Sequence, residues 1–230
     1  MTKQAEREYP LKIDQSHLFQ KPYNCPRVFR EFGLVLELFQ TYLSGGSILD
    51  MGCGPGWTTL LLARAGYEMT GIDISERMIE IARERTLLEN VEADFHVADM
   101  EEFELEKRDF NGVLLFDCLH HCPQYEKVLQ RAAQHLQPGG VLLMMETTWL
   151  HRYSPHAREH SRQFGVTEQG FTRGQIRRGL QKAGFHGIKQ FHDPGPLYRG
   201  FGGFLWATMR LWFGYASCFP QSKNIFLAVR

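Results

Sequence analysis

A glycine-rich stretch follows a short apolar run near residue 50. The run Ile48–Met51 leads into Gly-Cys-Gly-Pro-Gly at 52–56. Glycine adopts positive φ readily and lets a ligand approach the backbone closely. The spacing is G-x-G-x-G rather than the G-x-G-x-x-G of dinucleotide-binding loops, and Asp50 lies two residues before the first glycine. A carboxylate there would repel a pyrophosphate but can bind an ammonium group through a water or a neighbouring donor. The loop therefore predicts a ligand that carries an amino group and no phosphate.

Two further carboxylates end the next two apolar runs. Asp73 ends the second run, where a carboxylate can accept two hydrogen bonds from a ribose diol. Asp99 follows the third run and can accept from the exocyclic amine of a base, while Met100 packs against the ring. A ligand with an amino group, a free ribose, an adenine and no phosphate fits S-adenosylmethionine (SAM).

Five motifs occur in the same order and spacing as in a known family. They are Leu-Asp-Met-Gly-Cys-Gly-Pro-Gly (49–56), Gly-Ile-Asp-Ile-Ser-x-x-Met (71–78), Ala-Asp-Met (98–100), Phe-Asp-Cys-Leu-His-His (116–121) and Leu-Gln-Pro-Gly-Gly (136–140). On these motifs the sequence resembles the class I SAM-dependent methyltransferases of the type 11 group, which includes the ubiquinone and menaquinone methyltransferases. The resemblance implies a seven-stranded sheet of order 3-2-1-4-5-7-6 with strand 7 antiparallel.

The resemblance also implies where SAM contacts the chain and that S-adenosylhomocysteine (SAH) is the product. The glycines would lie beside the methionine part of SAM, Asp73 would bind the ribose, and Asp99 would accept from the adenine amine. Trp57 stands where a smaller residue is common, and it would shape the methionine pocket. The expected cofactor-binding residues are Asp50, Gly52, Cys53, Gly54, Gly56, Trp57, Asp73, Ile74, Met78, Asp99, Met100 and Phe116.

Methyl transfer to a hydroxyl needs a group that removes the proton. His120 and His121 follow the fourth apolar run, at the expected mouth of the site, and imidazole titrates near neutrality. Either histidine is a candidate general base, and Asp117 could orient a histidine or position SAM. The alternative is that these histidines cap the following helix or pack in the core.

A second group of histidines lies in residues 147–170, a segment that interrupts the regular pattern. His156 and His160 stand four residues apart, with His151 and Glu159 nearby, so a helix would place two of them on one face, as metal ligands require. A solvated, acceptor-side segment is the preferred interpretation. Displacement at a sulfonium needs no metal, and no metal is expected.

Short apolar runs and helical patterns alternate along most of the chain. This alternation predicts a doubly wound α/β sheet with parallel strands and crossover helices. The expected strands are 47–51, 68–73, 93–97, 110–116 and 141–146, followed by 187–191 and 224–229, which we expect to be antiparallel to each other. The expected helices are 26–43, 58–65, 75–85, 124–136 and 172–183.

The two ends of the chain flank this pattern. Residues 1–44 are expected to form an N-terminal lid with a helix over the SAM site, and residues 45–230 a single methyltransferase domain. Residues 147–170 and 192–220 are the expected acceptor-side insertions. The aromatic stretch 197–219 has three interpretations: ordinary core, the lining of an apolar acceptor pocket or a dimer face, and a membrane-surface contact.

Composition narrows the class of protein. The 230 residues contain 26 Lys plus Arg and 26 Asp plus Glu, so no global charge favours a nucleic-acid partner. The N-terminus has no apolar signal segment, and the five cysteines form no zinc-site spacing. These features favour a cytoplasmic protein. Together with the resemblance, which implies a methyltransferase, they lead us to expect an enzyme, monomer or homodimer, that methylates a hydroxyl of a small metabolite or sugar. The alternatives are C-methylation of a lipid quinone and a non-catalytic SAM-binding protein.

Overall fold

A computed structural model describes residues 3–106, 109–193, 200–215 and 223–230. Seven strands form one sheet of order β3-β2-β1-β4-β5-β7-β6. The first five strands pair in parallel, whereas β7 is antiparallel to both β5 and β6. The order and strand directions expected from the sequence are thus confirmed. The strands are β1 (Ser47–Met51), β2 (Glu68–Asp73), β3 (Asp94–Val97), β4 (Phe110–Phe116), β5 (Leu136–Thr147), β6 (His186–Phe191) and β7 (Lys223–Val229).

Helices connect the strands and cover both faces of the sheet. Proline begins α3, where a missing N–H costs nothing, and a reciprocal Thr172–Gln175 capping box begins α8. The helices are α1 (Lys3–Glu8), α2 (Gln15–Gln20), α3 (Pro26–Tyr42), α4 (Trp57–Arg64), α5 (Glu76–Glu89), α6 (Tyr125–His135), α7 (Pro155–Phe164), α8 (Arg173–Lys182) and α9 (Gly200–Tyr215). Three short 3₁₀ segments lie at Tyr9–Leu11, Leu119–His121 and His151–Tyr153.

Helix α3 is part of the core of the domain. Its residues Phe32, Val35 and Phe39 are buried and belong to the same apolar cluster as Trp57 and Phe116. Their spacing of three and four residues places them on one helical face. The helix therefore anchors the chain before β1, and only its first turn borders the cavity described below.

Strand β5 begins at Leu136 rather than at residue 141, and the helices differ from the sequence-based expectation in three segments. Residues 1–25 contain α1 and α2, where no helix was expected, and residues 147–170 contain α7. Helix α5 continues to Glu89, because Asn90 adopts a left-handed conformation only there and ends the helix. These segments lack strong apolar periodicity, so their helices depend on caps and tertiary contacts.

The aromatic stretch 197–219 is described only in part. Residues 200–215 form α9, whereas 197–199 and 216–219 lie outside the described residues. Phe201, Phe204 and Trp212 are exposed, as are Leu205, Trp206 and Met209. Helix α9 does not meet the length and hydropathy of a membrane span, nor does any other helix in the described ranges. Cys25, Cys53, Cys118 and Cys122 are free thiols.

Candidate active site

A cavity of about 1240 Å³ opens where the parallel strands end. Its wall includes residues that follow β1, β2, β4 and β5, the edge at which α/β sheets of this kind bind ligands. Of the residues expected from the sequence, the wall contains Gly52, Cys53, Gly54, Trp57, Asp73, Ile74, Met78, Asp99, Met100, Phe116, Asp117, His120 and His121. Asp50 and Gly56 lie behind it.

The glycine loop 52–56 is held against β2 and leaves one side open. The amides of Gly52 and Cys53 donate to the Ile72 carbonyl at 2.8 and 3.0 Å. Gly52 has φ +76°, and a Cβ there would lie 2.7 Å from the Cys118 Cβ, so only glycine fits. Gly54 has φ +53°, and no described atom comes within 4 Å of its Cβ position. The loop therefore presents bare backbone to the cavity.

Asp50 does not have the ligand-binding place that the sequence suggested. It is buried, and its Oδ2 accepts hydrogen bonds from the Thr58 and Thr59 hydroxyls at 2.6 and 2.7 Å. Burial raises its pKa to about 6, against the opposing effect of the two hydroxyls. Asp50 ties β1 to the start of α4, because both threonines lie in the first turn of that helix.

Asp73 and Asp99 both border the cavity. Asp73 accepts from the Gly54 amide at 3.0 Å and from the Ser75 amide at 2.9 Å, and burial raises its pKa. A carboxylate has about four acceptor sites, so two remain for a ligand. The Oδ2 of Asp99 lies 2.6 Å from the Lys3 Nζ, in an ion pair that no sequence motif indicated.

His120 lies at the opposite end of the cavity and is held by Glu146. The Nδ1 of His120 is 2.6 Å from Glu146 Oε1, and the Glu146 side chain is fully buried. The charge and hydrogen bond of His120 keep the pKa of Glu146 below its usual range despite burial. An ionised carboxylate can only accept, so Nδ1 carries a proton, and Nε2 lies 3.7 Å from Glu168 Oε2.

Asp117 is paired with a buried lysine rather than with a histidine. Its carboxylate bonds the Lys223 ammonium, whereas the Nδ1 of His120 is 3.9 Å away. Although burial raises it, the charges of Lys223 and His120 hold the pKa of Asp117 well below its usual range. Asp117 also has φ +52°, a strained conformation outside glycine. The positive φ of Asp117 forms a sharp turn of the chain between β4 and His120.

His121 and Glu168 complete a group that we name the histidine–glutamate cluster: His120, His121, His151, His160 and Glu168. Glu168 accepts from His151 Nε2 at 2.7 Å and from His160 Nδ1 at 2.9 Å. These bonds hold its pKa well below the usual range, although burial raises it. The Nδ1 of His121 donates to the Thr167 carbonyl at 2.8 Å. Burial lowers the pKa of His121, but Glu6 overcomes this effect and raises it to about 9.

Helix α1 and the turn after it span the cavity from one end to the other. Besides the Lys3 ion pair, the Arg7 carbonyl accepts from the Ser75 hydroxyl at 3.0 Å. At the other end, Glu6 accepts from the Thr167 amide at 2.6 Å, and the Tyr9 hydroxyl lies 3.0 Å from His160 Nε2. The N-terminal segment therefore contacts both the glycine-loop side and the cluster.

Sequence reasoning missed several residues of this site. Glu168 comes from the segment assigned to an acceptor-side loop, where His151, His156, His160 and Glu159 were singled out, and Lys223 comes from the last strand. Lys3 and Glu6 belong to the N-terminus, where no motif was assigned. The available signal was the density of histidine around this segment, since six of the ten histidines of the chain lie in 120–160.

Comparisons with known proteins agree with this geometry. Residues 48–140 match a family model described as a methyltransferase domain. A ubiquinone biosynthesis O-methyltransferase from Xanthomonas campestris pv. campestris is 32% identical over 103 residues. That alignment covers 44% of this chain and 43% of the relative, so it spans less than half of either protein.

Solved structures extend the likeness to the fold as a whole. Phosphoethanolamine N-methyltransferase 2 of Haemonchus contortus, in complex with SAM, has a TM-score of 0.71 at 20% identity and covers 97% of this chain and 59% of its own. Magnesium protoporphyrin IX methyltransferase of Synechocystis PCC 6803, with bound SAH, has a TM-score of 0.70 at 18% identity over 99% of both chains. At these identities the likeness concerns the fold alone. Residues 48–140 are therefore similar to a methyltransferase domain, and the described residues share the fold of these solved methyltransferases.

Proposed function

We propose that this protein transfers a methyl group from SAM to a hydroxyl group of a small molecule. The observation that carries the proposal is one cavity lined by two chemically different groups of residues. The glycine loop and two carboxylates form one group, and the histidine–glutamate cluster forms the other. A methyltransferase needs this juxtaposition, because cofactor and acceptor must meet in line within one enclosed space.

The cofactor end fits SAM in three respects. The open backbone at Gly54 leaves room for the methionine part, where a side chain would fill the space. Asp73 is fixed by two backbone amides, so its free acceptor sites face the ribose position. Asp99 and Met100 line the cavity together with Ile74 and Met78. Three apolar side chains and one carboxylate suit a flat adenine base with an amine at its edge.

The acceptor end supplies the groups that a hydroxyl nucleophile requires. SAM, when bound, supplies a methyl group on a positively charged sulfur. As the oxygen–methyl bond forms and the carbon–sulfur bond breaks, the hydroxyl proton must leave. We assign removal of that proton to the cluster, because the His120 imidazole lines the cavity. Asp117 and Lys223 orient the turn that carries this imidazole.

A lipid-linked phenol or quinone is the second candidate acceptor, and α9 favours it. Six large apolar side chains of this helix are exposed, and such a surface suits the interface of a bilayer. The relative from Xanthomonas is named for ubiquinone biosynthesis. Binding to vesicles of phosphatidylglycerol and phosphatidylcholine tests this role: replacement of Trp206 and Trp212 by Ser should abolish it, and binding that persists would exclude α9 as the contact.

Calorimetric titration with SAM and SAH tests the proposed function directly. Asp73→Ala should weaken SAM binding by about 2–3 kcal/mol, because two hydrogen bonds to a charged acceptor are lost. The exposed Asp94, on β3, is the matched control, and Asp94→Ala should leave the affinity unchanged. Absence of binding to either ligand by the wild-type protein would refute the proposal.

Turnover separates catalysis from SAM binding alone. With hydroxylated metabolites and sugars as acceptors, His120→Ala and His121→Ala should slow transfer by roughly 10²–10⁴-fold at saturating SAM if either residue removes the proton. His96→Ala, at an exposed position of β3, is the control. SAM binding without transfer to any acceptor would favour the non-catalytic alternative.

The lid, the acceptor-recognition segment and the location of the protein complete the proposal. We propose that α1 and the turn after it form the lid, and that residues 147–170 recognise the acceptor. A cytoplasmic location agrees with the free thiols at Cys25, Cys53, Cys118 and Cys122. Monomer and homodimer both remain compatible with the proposal.

A further inference from the structure

Three residues of the histidine–glutamate cluster have possible metal-ligand atoms close to one another. One ligand-type atom each from His120, His121 and Glu168 lie within 4.8 Å of one another. The Nε2 of His120 is 3.7 Å from Glu168 Oε2, and the Glu168 side chain is only 4% exposed. Glu168 accepts from His151 and His160, and its remaining lone pairs lie close to the two imidazoles, an arrangement that a bound cation would stabilise.

Outer partners fix the orientation of each of these groups. Metal-binding histidines commonly donate their other ring N–H to a carboxylate or a backbone carbonyl. His120 Nδ1 donates to Glu146 at 2.6 Å, and His121 Nδ1 donates to the Thr167 carbonyl at 2.8 Å. Nε2 is therefore the nitrogen of each imidazole that would bind a metal, in competition with a proton. Glu168 is itself fixed by hydrogen bonds from His151 and His160.

The distances agree with the bond lengths of a small divalent metal. Zinc binds imidazole nitrogen and carboxylate oxygen at about 2.0–2.2 Å, which places neighbouring ligand atoms about 3.3–3.7 Å apart. Two histidines and one carboxylate, with an open side, are typical of zinc and other first-row divalent metals in catalytic sites. We propose that His120, His121 and Glu168 form a site for such a metal, with its open position facing the cavity.

A second set of three groups is a poorer metal site. Asp117, His120 and Glu146 also lie within 4.8 Å of one another. The Glu146 carboxylate, however, already accepts from His120 Nδ1 and from the backbone amides of residues 119, 120 and 147. Asp117 is neutralised by Lys223. The first set is favoured because its imidazole nitrogens still have free lone pairs.

The metal site would refine the role of the cluster, and this part rests on the proposed function. A hydroxyl bound to a divalent metal loses its proton more readily than a free one. The metal would then promote ionisation of the acceptor hydroxyl, and the proton would pass to solvent water, because the Nε2 of His120 would be a metal ligand. This departs from the sequence-based expectation that no metal is present.

Metal titration without cofactor or acceptor tests the site independently of catalysis. Untagged full-length protein is treated with EDTA, desalted and titrated with Zn²⁺ by calorimetry, and with Co²⁺ by visible absorption. We expect about one ion per chain. Glu168→Gln and His121→Ala should weaken Zn²⁺ binding at least tenfold, and Glu146→Gln by roughly 10–100-fold. Glu159→Gln, an exposed carboxylate on α7, and His96→Ala are the matched controls and should bind like the wild type.

Each outcome decides between the two proposals. No binding of Zn²⁺ or Co²⁺, or equal binding by Glu168→Gln and Glu159→Gln, overturns the metal site, and methyl transfer that continues in EDTA would then leave the imidazole as the base. Zn²⁺ binding with no SAM binding overturns the proposed function and leaves the metal site in place. Should Glu168→Gln fail to fold, His121→Ala decides, because the His121 side chain is about one-third exposed.

Discussion

The hydrogen bonds of Glu146 beside the candidate active site can be tested by measuring the free energy of unfolding. Its Oε1 accepts from His120 Nδ1 and the Thr147 amide, and its Oε2 accepts from the amides of Leu119 and His120. Glutamine has the same shape, but its NH₂ group would face one pair of N–H donors. Two of the four bonds are lost, at about 1.5–3 kcal/mol each for a charged acceptor. Glu146→Gln should therefore lower the free energy of unfolding by about 3–6 kcal/mol.

Urea denaturation of wild type and variant measures this difference. Glu159→Gln is the control, because Glu159 is exposed, pairs with Arg162 and should contribute no more than about 1 kcal/mol. The pKa of Glu146 is lowered in the folded protein, so its stabilisation is present above the unfolded pKa and is lost as the pH falls through the folded pKa. A loss below about 1 kcal/mol for Glu146→Gln would refute the four-bond network.

Two further predictions concern the cofactor end. Lys3→Met should tighten SAM binding by up to about fivefold in calorimetry. Lys3 pairs with the Asp99 carboxylate that the adenine amine would need, and a partly exposed ion pair contributes about 0–1 kcal/mol. An unchanged affinity would mean that Lys3 and SAM do not compete for Asp99. Asp50 has a folded pKa of about 6, above its usual 3.8, so its protonated form is favoured by folding. The free energy of unfolding should fall by about 3 kcal/mol as the pH rises from about 4 to 6. Asp50→Asn should remove this part of the pH dependence in denaturation curves. An identical pH profile in the variant would contradict the assignment of this effect to Asp50.

The sheet could be predicted because its signals are local. Each strand is a short apolar run that ends in a turn residue, and parallel strands joined by helices leave few possible arrangements. The glycine loop could be predicted as well, because Gly52 and Gly54 adopt positive φ angles that favour glycine. Asp73 and Asp99 followed from their positions at strand ends. The motif resemblance supplied the strand order 3-2-1-4-5-7-6, which periodicity alone does not give.

Asp50 shows where the same reasoning fails. Its position before the glycines suggested a ligand contact, yet the first turn of α4 provides two threonine hydroxyls that satisfy it internally. A sequence shows that a carboxylate follows a strand, but not which side of the strand it faces. That side is set by the alternation of side chains within a sheet whose pairing is tertiary.

The sequence by itself determined the fold class, the glycine loop and the resemblance to methyltransferases, because these depend on contiguous motifs of a few residues each. Only the tertiary structure brought His120 and His121 together with Glu168, and Glu6 and Lys3 to the wall of the same cavity. These contacts join residues 46 to 161 positions apart in the chain. No local pattern encodes them, since they depend on how the N-terminal segment and the insertion after β5 fold back over the edge of the sheet.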